Sequence, residues 1–195
     1  MIRKLQQNGW LLNVSLMGVI LIVALMSGMF GQVDLDVAQV AAAVFGPPDS
    51  PEAIIVRELR LPRVLLAILA GASLGYSGAA LQGLLRNPLA DPGVIGVSAS
   101  ASLGAVIAIY MGLAAMSSLA IPVMAMAGAF VSTAILMLLA SRDASVLTLI
   151  LAGIGISSLA TAAIALVMNF TSNPVTVQEM VMWMLGSLEN RTFDD

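Results

Sequence analysis

The sequence predicts an all-α, polytopic membrane protein. Of its 195 residues, 59% are hydrophobic and 10% are charged, and the mean hydropathy of +1.01 exceeds that of ordinary soluble domains. Five uncharged stretches are long enough, or nearly so, to cross a hydrocarbon core of about 30 Å at about 1.5 Å per helical residue. They cover residues 10–30, 64–85, 94–111, 118–140 and 146–170. We therefore expect about five transmembrane helices, with short amphipathic helices between them, in a single membrane domain over residues 1–195.

The first apolar stretch follows Arg3 and Lys4, an arrangement that is also found in secretory signal peptides. Its 21 uncharged residues exceed the apolar region of such peptides, and no clear small-residue cleavage site follows it. We interpret it as a retained span. The positive-inside rule does not settle its orientation, because a cytoplasmic N-terminus, which we expect, places four basic residues inside (Arg3, Lys4, Arg86 and Arg142) and three outside. Arg57, Arg60 and Arg63 then lie on the external side, which the positive-inside rule does not favour.

The segment between the first two spans carries a periodic apolar stripe. Its members, at spacings that suit one side of a helix, are Val33, Val37, Val40, Ala41 and Val44. They predict a short amphipathic surface helix that ends at Pro47-Pro48.

The second span begins at Pro62, which suits a first helical turn because its missing N–H would be unpaired there in any case. Small residues then recur at every fourth position: Ala67, Gly71, Gly75, Ala79 and Gly83. Such a ridge predicts close packing against another helix, with Gly71, Gly75, Ala79 and Gly83 as the packing residues. Asn87-Pro88 and Asp91-Pro92 predict a sharp turn, after which Asp91 caps the next helix.

Two later spans carry similar lines of small residues, which are suited either to close packing or to lining a weakly polar path. These lines are Gly96, Ser100, Gly104, Ala108 and Gly153, Ser157, Thr161, Ala165. Packing is the commoner use. After the last span, Thr176 and Glu179 predict a capping box for a short external helix over residues 176–188, with Trp183 suited to the membrane interface.

Several function classes are disfavoured by the residue types that the sequence lacks. It contains no histidine and no cysteine, so we expect neither a metal site nor a cofactor. Gly75-Tyr76-Ser77-Gly78 matches the serine motif of rhomboid-type proteases, but their histidine base is missing. The five stretches hold no lysine, arginine, aspartate or glutamate for proton coupling, and no GxxxxGK[ST] phosphate loop is present for ATP hydrolysis. The small net charge of −3 gives no indication of nucleic-acid binding.

Four sequence blocks resemble the FecCD or BtuC-like family, the permease subunits of bacterial ABC importers for iron chelates, haem and cobalamin. The blocks are LRLPR (59–63), SGAALQGLLRNPLADPGVIGVS (77–98), LILAGIGIS (149–157) and WMLGSLENRTFDD (183–195). The resemblance implies that the chain is half of a ten-span BtuC-like permease. A fragment of a longer permease is the favoured interpretation, and a natural half-length subunit is the alternative.

The same resemblance assigns roles to individual residues. Arg60 and Arg63 match external arginines that dock the substrate-binding protein. Without the resemblance, anchoring to lipid headgroups and an internal pair with Glu58 would be the preferred explanation for these arginines. Asn87 and Leu89 match a cytoplasmic gate, and Ser145 matches its second part.

The implied function is import of an iron-siderophore through the bacterial cytoplasmic membrane. The expected partners are a second permease subunit in a homo- or heterodimer, ATP-binding cassette ATPase subunits, an extracytoplasmic substrate-binding protein and membrane lipid. The WMLGSLENRTFDD block favours iron-siderophores slightly over cobalamin. A cobalamin or haem permease of the same family, and a truncated structural membrane protein without transport activity, are the alternatives.

Overall fold

The computed structural model describes residues 9–47, 50–88, 90–142 and 145–188, and all regular structure within these ranges is helical. The predicted all-α class is therefore confirmed. In chain order the elements are α1 (Gly9–Met29), α2 (Val37–Phe45), α3 (Pro51–Ile54), a π-helical segment (Ile55–Arg60), α4 (Leu61–Leu85), a 3-10 turn (Pro92–Ile95), α5 (Val97–Tyr110), a second 3-10 turn (Leu113–Ala115), α6 (Ala120–Ala140), α7 (Val146–Phe170) and α8 (Pro174–Leu185).

Four helices in the described ranges are long and apolar enough to cross a membrane: Gly9–Met29, the continuous helix Pro51–Leu85, Ala120–Ala140 and Val146–Phe170. The predicted third span is not among these four helices, because the helix at that place, α5, has only 14 residues. At about 1.5 Å per residue it measures roughly 21 Å, which is less than the hydrocarbon core. The 3-10 turn and the left-handed Gly96, with φ +83°, take up the start of the predicted stretch.

The chain divides into two compact units, with the boundary between Ala70 and Gly71 inside α4. In the first unit, α2 packs through Val40 and Val44 onto a small core of Leu35, Ala43 and Val56. The predicted amphipathic helix is therefore present, although Val33 lies outside it and Val37 and Ala41 are exposed. The helix ends at Phe45 with Gly46 as its C-cap, and Pro48 lies outside the described residues.

A capping box fixes the start of α2. The Gln39 N–H donates to Asp36 Oδ1 at 2.7 Å, and the Asp36 N–H donates to Gln39 Oε1 at 2.8 Å. Two donors at the start of the helix are thereby paired reciprocally. This box was not predicted, although an N-cap residue such as Asp36 followed three positions later by Gln39 is its sequence pattern.

In the second unit, α5 and α6 cross with their backbones in contact. A Cβ placed on Gly104 would overlap the Met124 carbonyl, and one placed on Gly128 would overlap the Ser100 carbonyl. Each helix therefore presents a glycine to the backbone of the other, and the two contact positions are four residues apart in both helices. The small-residue line through Ser100 and Gly104 serves close packing, which was the commoner of its two predicted uses.

A second core lies where α7 and α8 pack against α5. Val106, Ile109, Ile164 and the fully buried Met180 form it, and the partly buried Trp183 packs against it. The predicted capping box of α8 is wrong. The helix begins at Pro174, and Asn173 caps it by accepting the Val175 N–H at 3.0 Å. Asparagine before proline provides both an N-cap oxygen and a suitable first helical residue.

The glycine ridge of α4 has open space beside it in the described part of the chain. A Cβ built on Gly71, Gly75 or Gly83 would meet no atom within 4 Å. The described helices therefore do not supply the predicted close neighbour of this ridge. By contrast, Gly104 in α5, Gly128 in α6 and Gly153 in α7 each lie against the backbone of another element.

We predict that Gly104→Ala and Gly128→Ala each destabilise the fold. The added methyl group would overlap a backbone carbonyl that cannot rotate away, and overpacking of this kind costs about 1–3 kcal/mol. Gly78→Ala is the matched control, because a Cβ there has open space around it. Thermal unfolding of the purified protein in detergent measures the effect. Equal melting temperatures for Gly104→Ala and Gly78→Ala would contradict the backbone contact.

Candidate functional site

The segment that carries the predicted docking arginines is a π-helical turn followed by proline. The Leu61 N–H donates to the Val56 carbonyl, five residues back, and Pro62 is buried at the start of α4. Proline cannot donate to the carbonyl four residues back, and its ring crowds that carbonyl. The wider π turn relieves this crowding, and such turns occur frequently at functional sites.

Arg57 caps the C-terminus of α2. Its Nε donates to the Ala43 carbonyl at 2.8 Å, and its Nη2 donates to the carbonyls of Val44 at 2.9 Å and Gly46 at 2.7 Å. The last carbonyls of a helix have no partner within the helix, and a cation there also interacts favourably with the helix dipole. Arg57 therefore ties α2 to the π segment.

Arg60 performs the same function at the C-terminus of α1. Its Nη1 donates to the carbonyls of Gly28 at 2.6 Å and Met29 at 3.0 Å, and its Nη2 donates to the Val33 carbonyl. The guanidinium thus joins the end of α1, the following loop and the π segment. The half-buried Arg60 is directed toward these carbonyls.

Arg63 differs from its two neighbours because it is exposed. Together with Arg60 it lines a cavity of about 530 Å³ in the first unit. The remaining lining residues are Ser27, Phe30, Gly31, Gln32, Val33, Ile55 and Leu59. The two predicted docking arginines therefore share one cavity. Both were predicted to dock the substrate-binding protein, whereas Arg60 directs its charge onto backbone carbonyls of its own chain.

The predicted turn after α4 is present, and its geometry is that of a helix C-cap. Arg86 has a left-handed backbone with φ +46°, and the Asn87 N–H donates to the Gln82 carbonyl at 3.2 Å. This bond spans five residues, as in a Schellman motif, in which glycine is the usual left-handed residue. Asp91 then accepts the Gly93 N–H at 2.7 Å, so it caps the 3-10 turn that precedes α5.

The structure places two of the three predicted gate residues, Asn87 and Ser145, in different elements. Asn87 is exposed in the turn after α4. Ser145 is the N-cap of α7, where it accepts the Thr148 N–H at 3.2 Å and pairs with the Thr148 hydroxyl at 2.9 Å. Leu89 lies outside the described residues.

A glycine contact attaches the 3-10 turn to α7. A Cβ on Gly153 would lie 2.9 Å from the Ile95 Cα, and a Cβ on Gly96 would lie 2.7 Å from the Gly153 carbonyl oxygen. Gly153 lies about two helical turns beyond Ser145. The end of the 3-10 turn that precedes α5 is therefore in close backbone contact with α7, the helix that Ser145 caps.

The FecCD transport family model matches residues 19–195. The chain belongs to this family. One relative of this chain is the uncharacterized ABC transporter permease protein YvrB of Bacillus subtilis (strain 168). The two sequences are 40% identical over 151 residues, which are 75% of this chain and 42% of YvrB. The vitamin B12 import system permease protein BtuC of Escherichia coli is 37% identical over 133 residues, 68% of this chain and 40% of BtuC.

The fold of this FecCD chain is similar to that of a solved ABC transporter structure. It is described as an inward-facing conformation of a metal-chelate type ABC transporter, with a TM-score of 0.79 and 29% sequence identity. The match covers 93% of this chain and 55% of that chain. The chain thus spans about half the length of the proteins that it matches.

The hydrogen bonds from Arg57 and Arg60 to backbone carbonyls were not predicted from the sequence of this FecCD chain. No local pattern contains those partners, because they lie between 11 and 32 residues away in the chain. The contact between Gly96 and Gly153 was indicated in part, since both residues begin lines of small residues. The pairing of those two lines depends on the tertiary fold.

We predict that Gly153→Ala disturbs the junction between the 3-10 turn and α7. The added methyl group would lie 2.9 Å from the Ile95 Cα, so the turn has to move. Gly155→Ala in the same helix is the control, because a Cβ there meets nothing within 4 Å. Amide hydrogen exchange of residues 93–100 should become faster in Gly153→Ala alone. Identical exchange in both variants would refute the junction.

Proposed function

We propose that this chain forms part of the permease subunit of an ABC importer in the bacterial cytoplasmic membrane. The observation that carries the proposal is the match of the FecCD family model to residues 19–195. Relatives that carry the names of ABC transporter and vitamin B12 import permeases support it. We place the N-terminus in the cytoplasm, which puts the arginine segment outside and the turn after α4 inside.

The distribution of charge in the spans supports the proposal that a partner subunit supplies the energy for transport. No lysine, arginine, aspartate or glutamate occurs in residues 64–85, 118–140 or 146–170. Proton-coupled transport requires ionisable groups within the bilayer. ATP-binding cassette subunits are the partners that would supply the energy, together with a second permease copy and an external substrate-binding protein.

Iron-siderophore is the proposed substrate. The structural match to a protein described as a metal-chelate type ABC transporter supports this class. Cobalamin is the second candidate, because the BtuC relative is named as a vitamin B12 import permease. Haem, another substrate class of the family, completes the set to be tested.

Docking and gating complete the proposed mechanism. Arg63, exposed beside the cavity, would present its charge to an acidic side chain of the binding protein, with Arg60 in the same segment. Asn87, Leu89 and Ser145 would form the constriction at the other end of the path. The contact between Gly96 and Gly153 supports coordinated movement of the 3-10 turn and α7.

The open glycine ridge of α4 would also have a role in the assembled permease. We expect Gly71, Gly75, Ala79 and Gly83 to pack against a helix that is not among those described here. The open space at Gly71, Gly75 and Gly83 supports this assignment.

The proposed function predicts ATP-dependent uptake of one substrate class. The full permease is reconstituted in proteoliposomes with its ATPase and binding protein, and uptake of a ferric siderophore, cyanocobalamin and haemin is measured separately. We expect accumulation of the ferric siderophore with ATP and none with a non-hydrolysable analogue. Uptake of cyanocobalamin or haemin alone would replace the proposed substrate. No ATP-dependent uptake of any of the three would contradict the importer assignment.

A further inference from the structure

The short helix α2 is apolar on nearly all of its surface. Its nine residues, VAQVAAAVF, include no charged residue, and Gln39 is the one polar residue among them. One side packs against the core of the first unit through Val40, Ala43 and Val44. The rest of its apolar surface is exposed and consists of Val37, Ala38, Ala41, Ala42 and Phe45. A helix that faces water on one side normally carries polar residues there, so this exposed face is suited to an apolar environment.

The exposed face of α2 runs along the whole helix. Val37, Ala41 and Phe45 are spaced four residues apart, so they form one line on its surface. The two large side chains stand at its ends: Val37, the first residue, is 63% exposed, and Phe45, the last, is 88% exposed.

Side chains pair polar backbone groups at both ends of α2. At the start, the capping box pairs two N–H groups. At the end, the Arg57 guanidinium donates to the carbonyls of Ala43, Val44 and Gly46. In water such carbonyls find partners without any side chain, whereas in lipid each unpaired carbonyl is costly. The paired ends therefore suit a helix that lies against lipid.

α2 lies beside the last turn of α1. A Cβ built on Gly28 would lie 3.7 Å from Val40 Cγ1. α1 has 21 residues, and at about 1.5 Å per residue its length of about 31 Å matches a hydrocarbon core of about 30 Å. None of its residues is buried. Its last turn therefore lies where hydrocarbon meets headgroups, and α2 adjoins the lipid-facing surface of α1 at the same depth.

We propose that α2 is an interfacial helix, whose exposed apolar face binds the lipid surface of the leaflet at which α1 ends. The exposed Asp34 and Asp36 keep the start of the helix on the aqueous side, so Phe45 at the other end lies deepest. α2 holds no basic residue that would attract anionic lipid, and burial of apolar side chains is therefore what attaches it. The inference requires that α1 spans the bilayer, and it does not depend on the importer function.

Spin-label accessibility measures the depth of α2 in the bilayer. This chain contains no cysteine, so one cysteine introduced into the full permease, freed of any other cysteine, carries a single nitroxide. Phe45→Cys and Ala41→Cys are the test sites on the exposed face. Asp34→Cys is the aqueous control, and Leu25→Cys on the exposed surface of α1 is the lipid control. In phosphatidylcholine vesicles, the collision rates of each nitroxide with oxygen, which concentrates in lipid, and with a water-soluble nickel chelate are measured.

We expect the ratio of oxygen to nickel collisions at positions 41 and 45 to exceed the ratio at position 34 by about threefold or more, because an interfacial helix buries its apolar face about 5–10 Å into the boundary. Ratios at both test sites equal to the ratio at position 34 would show water around α2 and would overturn the proposal. Low collision rates with both reagents at both test sites would show that protein, such as a second copy of the chain, covers the face, and this result would also overturn it.

Arg57→Gln, added to the Ala41→Cys permease, tests the paired end of α2. Without the guanidinium, the carbonyls of Ala43, Val44 and Gly46 lose their partner, so the end of the helix should move toward water and the ratio at position 41 should fall toward that at position 34. The same substitution in the Leu25→Cys permease should leave the ratio there unchanged, because α1 still spans the bilayer. An unchanged ratio at position 41 would refute the contribution of the Arg57 cap to the attachment.

Discussion

Close contact between helix backbones is the constraint on which the second unit of this protein depends. Lipid tails are as apolar as leucine side chains, so helices in a bilayer gain little from burying apolar surface against one another. They associate through close packing and polar contacts instead. Gly104 and Gly128 allow α5 and α6 to approach until backbone meets backbone, and Gly153 does the same between α7 and the 3-10 turn. Without these glycines, side chains would separate α5 from α6 and the 3-10 turn from α7.

In the first unit, the main constraint is the pairing of carbonyls that have no partner within their own helix. α1 and α2 both end close to the π segment, and each end receives an arginine from it. These charge-assisted bonds join α1, α2 and the π segment around a core of only a few buried apolar residues. A polar cap of this kind holds a loop in place and leaves the neighbouring Arg63 exposed for another role.

Much of this architecture was predictable because it rests on local chemistry. The apolar stretches predicted the long helices, and Asn87-Pro88 with Asp91-Pro92 predicted the turn and its aspartate cap. The short α5 was not anticipated, because hydropathy counts apolar residues and does not report the left-handed Gly96 that starts the helix late. The roles of Arg57 and Arg60 were also hidden, since their partners are backbone carbonyls that any residue type supplies. Charge in the sequence suggested an interface, and the tertiary fold assigned two of the three charges to the protein itself.

The most direct test of the account is the distance between the backbones of α5 and α6 in a lipid bilayer. Solid-state NMR on the full permease, labelled at the Gly104 Cα and the Met124 carbonyl carbon, measures it at the contact point. The account predicts a strong direct cross-peak between these two carbons, because a Cβ on Gly104 would lie 2.8 Å from the Met124 carbonyl carbon. Absence of the cross-peak, as expected when side chains hold helix axes about 8–10 Å apart, would contradict it.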